Sequence, residues 1–119
     1  MPTTSFTQLD VWKKAHRAVL LIYKITRVFP PEERYGLSAQ MRTAAVSIAS
    51  NIAEGYGRRS PPDKARFYNI SQGSAQELKY QLILTKDLEY ATDLSEVNQL
   101  LEDVLGMLRR LCQATYRNS

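Results

Sequence analysis

The sequence predicts an all-α fold: an antiparallel, up-down-up-down four-helix bundle that assembles as a homo-oligomer. Three observations lead there. Apolar residues recur at alternating three- and four-residue intervals in four separate stretches, which is the spacing of a helix face packed in a bundle. Glycine and proline, five of each among 119 residues, gather mainly at Pro30-Pro31 and between Gly55 and Pro62, so the segments between them run long. The second segment, Ser38 to Ala53, holds one charged residue, Arg42. A surface helix shows an apolar stripe and a charged face. A helix uncharged nearly all round belongs at the centre of a bundle, and of an assembly of bundles.

The first helix is expected over about residues 9–28. Trp12, Ala15, Val19, Ile22, Thr26 and Phe29 make its seam, widened by Val11, Ala18, Leu21, Ile25 and Val28. Thr7 is read as its N-cap, with Asp10 favourably placed in the first turn. Phe29-Pro30-Pro31 ends it, because proline disfavours helical geometry in the preceding residue and supplies no N–H.

The second helix follows over about 37–55, after a short turn at Glu32 to Arg34. Leu37, Met41, Ala44, Ile48 and Ile52 form its core stripe. Beside it runs a stripe of small residues, Ala45, Ala49 and Ala53, which would let another helix come close and is assigned to packing between helices or between copies. Arg42, Asn51 and Glu54 join that candidate set. An Asn beside an apolar stripe must find partners or cost about 1–3 kcal/mol. It reads either as part of a polar pocket or as a register-setting hydrogen bond to another helix or subunit, as in coiled coils. Glu54 is one turn from Arg58, should the helix continue through Gly55.

The third helix is expected over about 61–88. Ser60 suits the N-cap, Pro61 the first helical position, and Asp63 a capping-box return. Its seam is Phe67, Ile70, Ser74, Leu78, Leu82 and Thr85. Gly73, in mid-helix, costs about 1 kcal/mol relative to alanine and suggests close helix contact. The fourth helix, about 94–115, opens on Asp93-Leu-Ser-Glu96 as an Asp-x-x-Glu cap. Val97, Leu101, Val104, Leu108 and Leu111 follow, flanked by Leu94, Leu100, Leu105 and Cys112. Short connections between long helices favour antiparallel neighbours.

At this length residues 1–119 make a single domain. A hydrophobic share of 44% supplies a core, and 24% charged residues argues against disorder. One cysteine rules out an internal disulfide and fits a reducing compartment. The N-terminus shows neither the basic nor the apolar region of a secretion signal. The longest apolar run, Ala18 to Tyr23, is far short of the roughly 20 residues a membrane span needs. The expectation is a cytoplasmic protein with no membrane contact.

Enzymatic chemistry finds little to build on. A Cys–His pair would need Cys112 and His16 to meet, yet each sits where simple packing explains it. No Gly-x-Ser-x-Gly elbow occurs. A zinc set is impossible with one His and one Cys, no Glu-x-x-His motif offers a di-iron site, and no phosphate-binding Gly-x-x-x-x-Gly-Lys loop is present. No cofactor and no catalytic residue is assigned.

The net charge is +4. Basic groups fall in three sets: Lys13, Lys14 and Arg17 on the first helix; Arg58, Arg59, Lys64 and Arg66 around the turn into the third, near Tyr56 and Tyr68; and Arg109 and Arg110 late in the fourth. Basic residues interleaved with aromatics can hold phosphates and stack bases. The plain alternative is a solvated face. With no recognition motif present, any nucleic-acid contact would be of low sequence specificity.

The run Ser47-Ile48-x-Ser50-Asn51-Ile52-Ala53-Glu54-Gly55-x-Gly57-Arg58 resembles the signature of the four-helix-bundle proteins called 23S rRNA intervening-sequence proteins. Supporting matches are Leu9-x-Val11-Trp12-x-x-Ala15, Tyr23-x-x-Thr26-x-x-Phe29-Pro30, Glu33-x-Tyr35-Gly36-Leu37-x-x-Gln40 and Gly73-Ser74-x-x-Glu77-Leu78, which together span about residues 9–90. Thr43 stands where that family often has Arg, which weakens a nucleic-acid reading of that face. Ala49 stands where it often has Pro, which straightens the helix. The resemblance implies the bundle fold, a homopentameric habit known in some members, and an association with inserts in rRNA genes. A related group serves diversity-generating retroelements as an accessory protein that works with reverse transcriptase and nucleic acid. It implies no enzymatic activity. The expected function is therefore a scaffold or accessory factor whose partners are itself and RNA or DNA; the alternative is a protein-interaction module with no nucleic-acid contact.

Overall fold

Four α-helices carry the chain: α1 (Asp10–Thr26), α2 (Leu37–Gly57), α3 (Pro61–Asp87) and α4 (Ser95–Arg117), with 3-10 turns at Phe6–Gln8 and Pro31–Glu33. The computed structural model describes residues 5–117, and no strand occurs among them. Each helix packs against its neighbour in sequence, and α1 closes on α4; no Cα atoms of α1 and α3, or of α2 and α4, come within 8 Å of each other among the described residues. The helices thus stand at the corners of a square around one core. Ile22, Met41, Ile48, Ile52, Leu78, Leu82, Leu101 and Leu108 are its largest fully buried apolar side chains.

Helix ends follow the expected punctuation, with three corrections. Thr7 does not cap α1. It lies in the 3-10 turn, where Ser5 accepts a hydrogen bond from the Thr7 backbone N–H (3.2 Å). Leu9 holds the α1 N-cap position with no side-chain bond. At α3, Ser60 Oγ accepts from the Asp63 N–H (3.3 Å) as expected. The Asp63 carboxylate instead turns to Arg66 (3.3 Å) and Arg58 (3.8 Å), since two guanidiniums attract it more than one backbone N–H. At α4, Asp93 Oδ1 accepts from the Ser95 hydroxyl (3.0 Å). Glu96 pairs with Arg17 across to α1 and not with the cap.

The seams of α2 and α4 lie where periodicity put them. Ala15, Ile22, Thr26 and Phe29 of the first seam and Leu78, Leu82 and Thr85 of the third are buried as expected, while the rest of the α1 seam and the first half of the α3 seam are rotated. On α1 the buried residues are Val11, Ala15, Ala18, Ile22 and Thr26, while Trp12 and Val19 are only half-buried. The two alanines let α1 approach closely and push the bulkier residues to the flank. On α3 the buried set is Ala65, Tyr68, Ser71, Ala75, Leu78, Gln81, Leu82 and Thr85. Phe67 and Ser74 are half-buried and Ile70 is exposed. The cause is local. Tyr68 packs against Gly55, whose missing Cβ would stand 2.5 Å from the Tyr68 ring, and Ser71 donates to the Ile48 carbonyl (2.8 Å). These two contacts set the rotation of α3 on α2.

Buried polar groups are otherwise satisfied within the bundle. Thr26 donates to the Ile22 carbonyl (2.7 Å), and Thr85 to the Gln81 carbonyl (2.8 Å). Gln81 Oε1 is the exception among the described residues, buried without a partner while its amide nitrogen donates to Glu77 (3.2 Å). At one end of the square, Glu33 Oε1 accepts from the Leu37 N–H (3.2 Å) and Oε2 from the Tyr90 hydroxyl (2.8 Å). One carboxylate therefore starts α2 and ties it to the α3–α4 connection.

Candidate functional site

The turn from α2 to α3 is where the sequence concentrates cations and aromatics, and the structure gives that corner a definite geometry. α2 continues through Gly55 to Gly57, so Glu54 and Arg58 share one helix face and pair at 3.0 Å. Phe67 meets two guanidiniums: Arg58 sits 4.6 Å and Arg66 4.4 Å from its ring centroid. Asp63 bridges the same two arginines. Arg59 is exposed at the turn and has no ion pair among the described residues.

Lys64 serves a structural end. Its Nζ donates to the carbonyls of Tyr56 (2.8 Å) and Gly55 (3.2 Å), closing the C-terminus of α2, where a cation also meets the negative end of the helix dipole. Of the four basic residues expected here, Arg58 and Arg66 meet on Phe67, Arg59 stands exposed next to Arg58 in the turn, and Lys64 is engaged by backbone.

The first-helix cations separate from this corner. Lys14 pairs with Asp103 (2.9 Å) and Arg17 with Glu96 (3.0 Å), both on α4. Lys79 of α3 pairs with Glu102, again on α4. These pairs lace α4 to both its neighbours. The Lys14 ammonium and the Gln99 amide, both hydrogen-bonded to Asp103, hold its carboxyl below the usual aspartate range. Lys13 is exposed, with no ion pair among the described residues.

The packing set divides as well. Arg42 is an inter-helix fastener: Nε donates to Thr26 Oγ1 (2.8 Å), Nη2 reaches the Tyr23 carbonyl (3.5 Å), and the guanidinium lies 4.6 Å from the Tyr23 ring centroid. It therefore completes the last turn of α1. Asn51 donates to the Ser47 carbonyl (2.8 Å) and Oγ (3.1 Å), and Ser47 Oγ lies 2.7 Å from Ser74 Oγ on α3. Asn51 thus secures its own helix and touches α3 through Ser47. Ala45 and Ala49 are 0% and 9% exposed within the single chain, so they are not a stripe left open for a second copy; Ala53 is half-buried. Gly73 is corrected too: nothing lies within 4 Å of the Cβ it lacks, so no helix of its own chain comes close.

Cys112 is buried; its thiol donates to Asn69 Oδ1 (3.6 Å) and accepts from Gln72 Nε2 (3.4 Å), and burial pushes its pKa up. His16 stacks on Trp12 at 4.9 Å and 6°. A raised thiol pKa suits packing, not nucleophilic attack. Burial, helped by Cys112 and Tyr56, lifts Tyr68 to about 12. Among the described residues no group of His, Cys, Asp or Glu could hold a metal ion, and no helix is long and apolar enough to cross a membrane. Sequence reasoning missed the roles of Glu33 and Tyr68. Glu33 stands four residues before Leu37, the one signal that it could reach the start of α2.

No curated protein matches the chain. A crystal structure of a protein of unknown function from the S23 ribosomal protein family of Bacteroides thetaiotaomicron shares the fold, with a TM-score of 0.78 at 24% identity, over 87% of this chain and 95% of that one. The family described as 23S rRNA-intervening sequence protein matches residues 7–111, nearly the whole four-helix unit, and the chain belongs to that family.

Proposed function

We propose that this chain is a non-enzymatic, self-assembling protein: an antiparallel up-down-up-down bundle that forms a homo-oligomer, with a pentamer favoured by the family resemblance. It acts in the cytoplasm as a scaffold or accessory factor that binds RNA or DNA with low sequence specificity. The order of contacts supports the antiparallel arrangement. Met41 meets Thr85 while Ile48 meets Ser71, and Lys14 meets Asp103 while Arg17 meets Glu96. Rising numbers on one helix meet falling numbers on the next.

The observation that carries the nucleic-acid reading is the Arg58–Phe67–Arg66 stack with Arg59 beside it. Guanidiniums held on an aromatic face present N–H edges suited to phosphate. The family description ties its members to intervening sequences of 23S rRNA, which makes structured RNA the first probe and single-stranded DNA the second. Affinity should fall steeply with salt, and Arg59→Ala and Arg66→Ala should each flatten the salt dependence by about one phosphate contact. Absence of binding to either probe at low salt would refute this reading. The pairing of Lys14 and Arg17 with α4, and of Lys64 with backbone, favours the second reading, a protein-interaction module without nucleic-acid contact.

A further inference from the structure

Three aromatic rings meet between the N-terminal part of α1 and α2. Phe6 stands edge-on to Trp12 with ring centroids 5.3 Å apart, and His16 lies flat on Trp12 at 4.9 Å and 6°. With Val19 they bound a cleft of about 270 Å³ whose opposite wall is α2, at Ala49 and Ala53. A second cleft, of about 290 Å³, is bounded by Glu54, Gly57 and Arg58. Phe6 and Ala53 belong to both, so the two adjoin. Three other clefts, of about 340–420 Å³, hold no aromatic side chain. His16 is exposed and Trp12 half-buried, so the ring pair is not sealed into the core.

We infer that the cleft at Trp12 and His16 takes one unpaired nucleobase, while the phosphate attached to it lies at Arg58. This rests on the nucleic-acid reading of the arginine corner and adds the class of ligand: a single strand or an open loop, not a duplex. The paired clefts offer what one nucleotide needs, an aromatic surface beside a guanidinium. Stacking on aromatic side chains tolerates any sequence, because every base has a π-face, and a guanidinium suits phosphate. The size agrees. Each cleft alone is smaller than the range of about 300–1,000 Å³ typical of small-molecule sites, and the two together fall within it. Glu54, paired with Arg58 at 3.0 Å, yields to the phosphate by exchange. In a duplex the neighbouring bases already cover both faces of each base, so only an unpaired one can enter. An apolar side chain of a protein partner would fill the first cleft and leave the guanidinium unused.

Trp12 is the only tryptophan in the sequence, so its fluorescence reports on this cleft alone. Purified protein is titrated at one low salt concentration with three labelled probes of equal length: oligothymidylate, the same strand with abasic sites, and a duplex. Oligothymidylate should quench Trp12 and, by anisotropy, bind about ten-fold more tightly than the abasic strand. The abasic strand and the duplex should leave Trp12 fluorescence unchanged. His16→Ala, shown to be folded by circular dichroism, should reduce the preference for the intact strand. Equal binding of intact and abasic strands without quenching would overturn the base cleft and leave the phosphate corner standing. No binding of any probe would overturn both. Quenching by the duplex as strong as by the single strand would overturn the requirement for an unpaired base. An intact-strand preference undiminished in His16→Ala would place the bases elsewhere. A Trp12 that acrylamide cannot quench in the free protein would show the cleft already covered by protein, and would overturn the inference as well.

Discussion

Replacing Gly55 with alanine tests the packing of α2 on α3 at its tightest point. The new methyl would stand 2.5, 2.8 and 3.1 Å from three atoms of the Tyr68 ring. Carbon atoms pack best at about 3.5–4.0 Å, so ring or helix must move by close to an ångström. Tyr68 is 3% exposed and has no solvent to move into. Overpacking of this kind costs about 1–3 kcal/mol. Alanine returns about 1 kcal/mol through helix propensity, so the net expectation is a loss of up to about 2 kcal/mol. Urea unfolding followed by circular dichroism, at one protein concentration for both proteins, reads this as a lower midpoint with an unchanged slope. A Gly55→Ala protein more stable than wild type would show that Tyr68 does not hold the helix spacing.

Two further perturbations address other parts of the fold. Arg42→Ala removes a hydrogen bond to Thr26 and a cation–π contact to Tyr23, for an expected loss of about 1–2 kcal/mol; Arg42→Lys should recover only part of it, and full recovery would reduce Arg42 to a charge. Tyr68, raised to about 12, stays protonated in the folded chain after the unfolded chain has ionised near 10. Its contribution is complete below about pH 10 and is lost as pH rises toward about 12. Ultraviolet titration of phenolate should lose a late-titrating tyrosine in Tyr68→Phe, while Tyr90, raised by its hydrogen bond to Glu33, still titrates above the ordinary range.

Helices, ends and connections were legible because they depend on neighbours in sequence: Phe29-Pro30-Pro31 stops α1 and Ser60-Pro61 starts α3. The rotation of α3 was not. Phe67 and Ile70 are the obvious core residues by hydropathy, yet Tyr68 and Ser71 take the interior because Gly55 and the Ile48 carbonyl wait opposite them. No periodicity encodes that. The candidate site divides in the same way. The residue types at the α2–α3 turn were legible, and so was the Glu54–Arg58 pair at one-turn spacing. The engagement of Lys14 and Arg17 was not, since Asp103 and Glu96 lie 89 and 79 residues further along. Of the two readings of the small stripe, packing between helices and packing between copies, Ala45 and Ala49 take the first: both are buried within the single chain, and Ala49 lines a cleft with Trp12, His16 and Val19 of α1.

The corner geometry also bears on how any phosphate would bind there. Arg58 and Arg66 already meet carboxylates, from Glu54 and Asp63. These pairs are largely exposed, so each contributes only about 0–1 kcal/mol. A phosphate therefore has little to overcome, but it enters by exchange, displacing a carboxylate whose charge stays nearby. Arg59 needs no exchange. The proposed interface should thus depend most on Arg59 for affinity, and Glu54→Gln with Asp63→Asn should strengthen binding to single-stranded DNA by freeing both guanidiniums. Weakened binding in that double variant would mean that the carboxylates position the arginines for phosphate and do not compete with it. The stack on Phe67 would then be secondary to the Asp63 bridge in shaping the site.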